Sequence, residues 1–380
     1  MEKSINRILT THTGSLPRTP ELLDMIKARE AGGSVDAARF EAVAAEATRQ
    51  VVQKQIECGL DIINDGEMSK VSYATYVKDR LSGFDREGQL PGAADLVDFS
   101  SYAMRVFGDE GLRMLKMPAC GSPVAWKDRD AIANDIVRFK AALAGKRPQD
   151  TFMTAASPGV IALFLENKYY PSDDAYLDAL AEIMKDEYEA IHKAGFVLQL
   201  DCPDLGVGRH SRFATASAAD FVKILERHVA AINRAVANIP ADRIRLHLCW
   251  GNYEGPHHHD VPLRDIIGSV LQAKVGAVSF EAANPRHEHE WAVFKDVKLP
   301  PGKVLIPGVI DSSTNYIEHP EVVAQRIVRF AETVGRENVI AGVDCGFATF
   351  AAMMPVDPAI AWAKLASLAE GARIASQQLW

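Results

Sequence analysis

Short runs of β-branched and other apolar residues alternate along this chain with longer stretches whose apolar positions recur every three or four residues. The first pattern reads as strand and the second as amphipathic helix. Strands are predicted at 7–11, 61–64, 151–155, 196–201, 244–248, 277–281, 304–309 and 339–343. Between them, Leu177, Leu180, Met184, Tyr188 and Ile191 form one face of a helix over 174–194. Val323, Ile327, Phe330 and Val334 do the same over 320–334, where Pro320 suits the first helical position. Amphipathic helices are also expected at 19–29 and 36–58. Alternation at this spacing means parallel strands joined by crossover helices, and eight such units predict an α/β fold, a (β/α)8 TIM barrel. A doubly wound open sheet is the alternative.

One stretch breaks the rhythm. Residues 69–149 hold a Gly/Pro-rich patch (GQLPGAADL), an extended piece near 117–126 and a helix near 128–143, too much for one βα unit. They are read as an elaborated insertion after strand two, lying over the active-site face of a single barrel domain that takes up residues 1–380.

Composition narrows the class. A net charge of −8 argues against wholesale nucleic-acid binding, and no apolar run reaches membrane-spanning length. The N-terminus, MEKSINRILTTHTG, carries no signal-peptide stretch, so a cytoplasmic location is expected. Five cysteines without a signal peptide argue against a disulfide framework and leave thiols free for metal. A homo-oligomer is compatible with the sequence, which leaves the oligomeric state open.

The candidate chemistry gathers at strand ends. His247 and Cys249 stand two apart in RLHLCWGN, on one face of the fifth strand. Glu281 ends the sixth, and Cys345 follows the eighth, before Gly346. His, Cys and carboxylate are zinc donors, and those strand ends form the face of a barrel where active sites sit. Two thiolates, a carboxylate and a neutral imidazole leave Zn2+ electron-rich. Such a centre suits exchange of a weak oxygen ligand, expected to be Glu281, for an incoming thiol held as the nucleophilic thiolate. The plainer readings are a Cys acting as a small hydrophobe and a His satisfying a hydrogen bond.

Other positions have paired readings. In GPHHHD, His257 and His258 are candidates for a general acid, for a second metal site, or for a solvated polar loop. PRHEHEW, over 285–291, is read as the start of a surface helix. Arg209, in RHSRF, suits an anionic substrate tail or a solvated loop. Asp311 orients a substrate amine or a water, or caps a turn. Cys202 neighbours Asp201 and is read as a buried thiol rather than a ligand.

Taken in order, THTGSLPRT, INDGE, QLD, HLC, FE and DCG resemble the motifs of the cobalamin-independent methionine synthase family, specifically its catalytic C-terminal barrel, over nearly the whole chain. The resemblance implies alkyl transfer to a zinc-bound thiol. It makes His247, Cys249, Glu281 and Cys345 the ligands, and Gly14, Ser15, Glu67 and Asp201 the lining for the thiol substrate. Homocysteine is the first-guess acceptor. The chain departs from the family where Phe164 replaces a folate-associated Trp, where Ser313 replaces a proton-donating His, where CPDL follows Asp201 instead of EPAL, and where FATF follows DCG in place of basic residues. These changes point to a donor other than folate. The partners expected are a small-molecule thiol and an alkyl donor. Alternatives are epoxide opening of the epoxyalkane:coenzyme M transferase type, a zinc-free barrel decarboxylase, and a zinc-binding protein without turnover.

Overall fold

The computed structural model describes residues 1–380 except 91, 115, 352 and 353, and describes 109–114 and 116 by backbone alone. Position 91 of the Gly/Pro-rich patch therefore lies outside the described residues.

All eight predicted strands are present as β1 (Leu9–Thr10), β2 (Ile62–Ile63), β3 (Asp150–Ala156), β4 (Val197–Asp201), β5 (Ile244–Leu248), β6 (Ala277–Phe280), β7 (Val304–Pro307) and β8 (Ile340–Ala341). Parallel ladders join β2 to β7 in sequence order, and β8 pairs with β1. Single parallel bridges, Thr11 to Ile62, Leu305 to Val339 and Gly308 to Gly342, complete the circuit. The result is a closed parallel barrel, not the open sheet.

Two apolar layers hold it together. A large cluster fills the space between strands and helices, drawing on Leu177, Leu180, Met184, Tyr188 and Ile191 of the helix Asp173–Lys193 and on Val323, Ile327 and Phe330 of the helix Pro320–Val334. A small cluster of Leu9, Ile62, Phe152, Val197, Ala277, Val304, Ile306 and Ile340 packs separately, with members from every barrel strand except β5. Strand β5 supplies Arg245 instead. Its guanidinium lies 3.4 Å from the centroid of the Phe152 ring and donates to Thr11 Oγ1, His12 O and Gln199 Oε1. Alternation along β5 carries the same face on to His247 and Cys249.

Between β2 and β3 the chain forms two small antiparallel ribbons (Leu81–Ser82 with Ala125–Trp126, and Arg86–Gln89 with Lys116–Ala119) and the helices Ala94–Asp98, Ser100–Met114 and Asp130–Ala142. Tyr253 and the backbone N–H of His257, both in the loop after β5, donate to Asp95 Oδ2 at 2.6 and 2.9 Å. Tyr102 donates to Glu254 O. No helix among the described residues is long and apolar enough to cross a membrane.

Candidate metal centre

Three of the four expected ligands converge. Donor atoms of His247, Cys249 and Cys345, all buried, lie within 4.8 Å of one another. His247 and Cys249 come from one face of β5, and Cys345 from the turn after β8, where Gly346 passes so close to Ser15 that a Cβ would meet Ser15 Oγ at 2.1 Å. A hydrogen bond from Cys345 lowers the Cys249 thiol below its usual range, while that bond and burial push Cys345 up. Burial also lowers His247, which is therefore neutral. Its Nδ1 lies 3.4 Å from Ser279 Oγ, and its Nε2 is buried without a hydrogen-bond partner among the described residues. A neutral imidazole with an unpaired buried nitrogen, beside two cysteine sulfurs, fits a thiophilic divalent ion such as zinc.

Glu281 follows β6, as expected, but stands outside that cluster. Its Oε1 accepts the Trp250 backbone N–H at 2.8 Å and its Oε2 the Asn284 amide at 3.3 Å. Burial pushes this carboxyl up to about 7, against the opposing effect of His287.

A chamber of about 20 Å³, room for one water, opens on His247, Cys249 and Cys345. Ser15, Glu67 and Asp201 also line it. Glu67 Oε1 accepts from Thr154 Oγ1 at 2.9 Å, and its Oε2 is buried without a partner among the described residues. Gly14 lets that carboxylate approach: at φ 152°, an added Cβ would meet Glu67 Oε1 at 2.5 Å. Asp201, opposite His247 in the β4–β5 ladder, accepts from the Gln199 amide at 2.7 Å. Burial and the neighbouring Glu67 push Asp201 up to about 7.

The sequence did not single out Thr13, Tyr73 and Thr349, which also line the chamber. Tyr73 packs edge-on against Phe164 and Phe350, with ring centroids at 5.9 and 5.8 Å, and those two rings touch at 6.1 Å. An aromatic residue six positions after Glu67 was the available signal, but ring packing is a tertiary property.

The remaining candidates sit elsewhere. Arg209 spends its guanidinium on Phe213 O and Ala214 O of its own loop and does not line the chamber. Asp311 is a turn cap: Oδ1 accepts from the N–H groups of Ser313 and Thr314 and from Ser313 Oγ. Cys202 is buried, with its thiol 3.5 Å from Leu200 O. His257 is buried with both ring nitrogens engaged, Nδ1 by Asp260 Oδ2 at 2.8 Å and Nε2 by Tyr253 O at 2.9 Å, which removes it from proton transfer in the chamber. His258 lies at the rim against Asp98. PRHEHEW does not begin a surface helix throughout: His287 is buried, stacks on Trp250 at 4.0 Å, and donates to Asp260 and Glu290. His210 Nδ1 lies 2.9 Å from Asp260 Oδ1 but is not aligned for a hydrogen bond. Asp260 thus sits among three imidazoles.

Comparison with known proteins agrees with this fold. The catalytic-domain model of the cobalamin-independent synthases matches residues 8–90 and 166–361. Methionine synthase of Thermococcus kodakarensis is 27% identical over 371 residues, covering 97% of this chain and 94% of the relative. That of Pyrococcus furiosus is 26% identical over 378 residues, covering 97% and 93%. The B12-independent methionine synthase from Shewanella sp. W3-18-1, solved in complex with selenomethionine, shares the fold, with a TM-score of 0.76 at 18% identity, covering 98% of this chain and 99% of that one. With its motifs brought to one end of one barrel and most of its length matched, the chain belongs to the cobalamin-independent methionine synthase family.

Proposed function

We propose that this enzyme transfers a methyl or other small alkyl group to a thiol activated at a zinc centre, with homocysteine as acceptor and a donor other than folate. The observation that carries the reading is the convergence of His247, Cys249 and Cys345 on a chamber that also holds Glu67 and Asp201. His247, Cys249 and Cys345 would hold the ion, with Glu281 as the ligand that yields. When bound, zinc would lower the pKa of the incoming thiol and keep its sulfur nucleophilic near neutral pH. The Trp250 N–H gives the Glu281 carboxylate a partner when it is displaced.

The other residues bind and orient. The unpaired Glu67 Oε2 and the Asp201 carboxylate suit a substrate ammonium, whose positive charge would draw both carboxyls back toward ionisation. Ser15, beside Gly14, adds a hydroxyl to the lining. Tyr73, backed by Phe164 and Phe350, excludes water and favours a compact donor. A small chamber and a net charge of −8 support small-molecule substrates over nucleic acid. We read 69–149 as an elaboration over the site end of one barrel domain, a reading supported by the bonds of Asp95 and Tyr102 to the loop after β5.

Zinc-edge absorption with and without homocysteine tests the acceptor: the expected result is a gain of one sulfur neighbour. Absence of stoichiometric zinc would overturn the reading. Single-turnover alkylation with homocysteine and coenzyme M, against methyl donors and epoxides, separates methyl transfer from epoxide opening.

A further inference from the structure

A second group of donor atoms stands at the barrel rim, apart from the buried centre. Asp98 ends the helix Ala94–Asp98, and His258 and His259 follow one another in the loop after β5. The two imidazoles present the same nitrogen to the same oxygen: His258 Nε2 is 2.9 Å and His259 Nε2 2.7 Å from Asp98 Oδ2. The three donor atoms lie within 4.8 Å of one another. We propose that Asp98, His258 and His259 form a second metal site, which takes a divalent first-row transition ion such as Ni2+ or Zn2+ and so ties the 94–98 helix to the loop after β5.

The donor set chooses the ion class. Two imidazoles and one carboxylate suit nickel, copper or zinc, whereas calcium and magnesium prefer oxygen throughout. Spacing agrees. Donors bound at right angles, about 2.0–2.1 Å from an ion, stand about 2.9 Å apart, close to the present nitrogen–oxygen separations. The ion would replace two hydrogen bonds, with the rings and the carboxylate turning to direct their lone pairs at it.

The frame is already built. His257 turns the loop with a left-handed φ of 54°, and its ring and N–H are fixed by Asp260, Tyr253 and Asp95. Tyr253 binds the loop to Asp95 of the 94–98 helix, and Tyr102, of the helix that follows, binds it at Glu254 O. Phe99 packs edge-on against His258, at 5.4 Å between centroids. With these links in place, less conformational entropy remains to be lost on binding. The imidazoles hold the Asp98 carboxyl below its usual range, so it is an ionised donor at neutral pH. Side-chain exposures of 35% for His258, 43% for His259 and 50% for Asp98 leave an entry path and room for water to complete the coordination.

The test is calorimetric titration of untagged protein, already holding its buried metal, with Ni2+. One Ni2+ per chain is expected. Affinity should fall on the order of a hundredfold in the H258Q/H259Q double variant and in D98N, and hold in C345S. Hydrogen exchange of residues 94–102 should slow with Ni2+ in the unaltered chain alone. Absence of a rim Ni2+, or equal affinity in H258Q/H259Q, would overturn the site. Equal affinity in D98N, or Ni2+ bound with no slowing of exchange, would overturn the cross-link. None of these outcomes depends on alkyl transfer.

Discussion

Asp260 is the carboxylate that His257 and His287 share. It lies well below the usual carboxylate range because His210, His257 and His287 surround it, while against the cost of burial its hydrogen bond raises His257 to about 9 and, together with that of Glu290, raises His287 to about 10. Both histidines are protonated when folded, so the stability they contribute is complete below their ordinary pKa near 6.5 and is lost as pH rises through 9 to 10. Asp260→Asn should cost about 3–5 kcal/mol, because the buried His257 cation loses its carboxylate while His287 keeps Glu290, and should shrink the alkaline limb of the stability profile. Chemical denaturation from pH 7 to 10.5 measures both. At the buried centre, Cys345→Ser should remove stoichiometric zinc and turnover, checked by elemental analysis beside single-turnover assays; unchanged activity would exclude Cys345 as a ligand. GPHHHD was conspicuous in the sequence, but the role of His258 and His259 was not legible, because their shared partner, Asp98, lies on a distant segment.

Strand β5 shows what a period of two can reveal. Arg245, His247 and Cys249 occupy alternate positions, and the alternation alone places the last two on one face. The placement of Glu281 was legible only as a strand end. Its present partners, a backbone N–H of Trp250 and the amide of Asn284, depend on how two loops pack. Strands β1, β2 and β8 are shorter than their apolar runs suggest, since single bridges replace full ladders where the barrel closes. Turn chemistry decided Asp311, whose oxygen meets N–H groups two and three residues on, as an Asx cap does. Gly14→Ala should force Glu67 aside, raising the KM for the amino-acid thiol while leaving zinc content intact; steady-state kinetics beside elemental analysis checks this.

Taken whole, the molecule is one barrel whose connectivity was readable from eight alternations, and whose elaboration after β2 was readable only as an irregularity. The ribbons and helices there are fixed by long-range contacts. Arg80 is an example, pairing in the interior with Asp135 and with Glu187 of another helix. The roof over the chamber belongs to the same scale, since Tyr73, Phe164 and Phe350 come from three distant parts of the chain. Under the proposed function, rings packed in this way would act as a size sieve that needs no hinge: rotamer changes within nanoseconds to microseconds would admit a slim reactant and reseal behind it. Phe350→Ala should widen the mesh, so that bulkier alkylating agents are consumed and more donor is lost to hydrolysis, as product analysis would show. Selectivity in this barrel would then be set by the girth of the donor, and a single aromatic side chain would be enough to retune it.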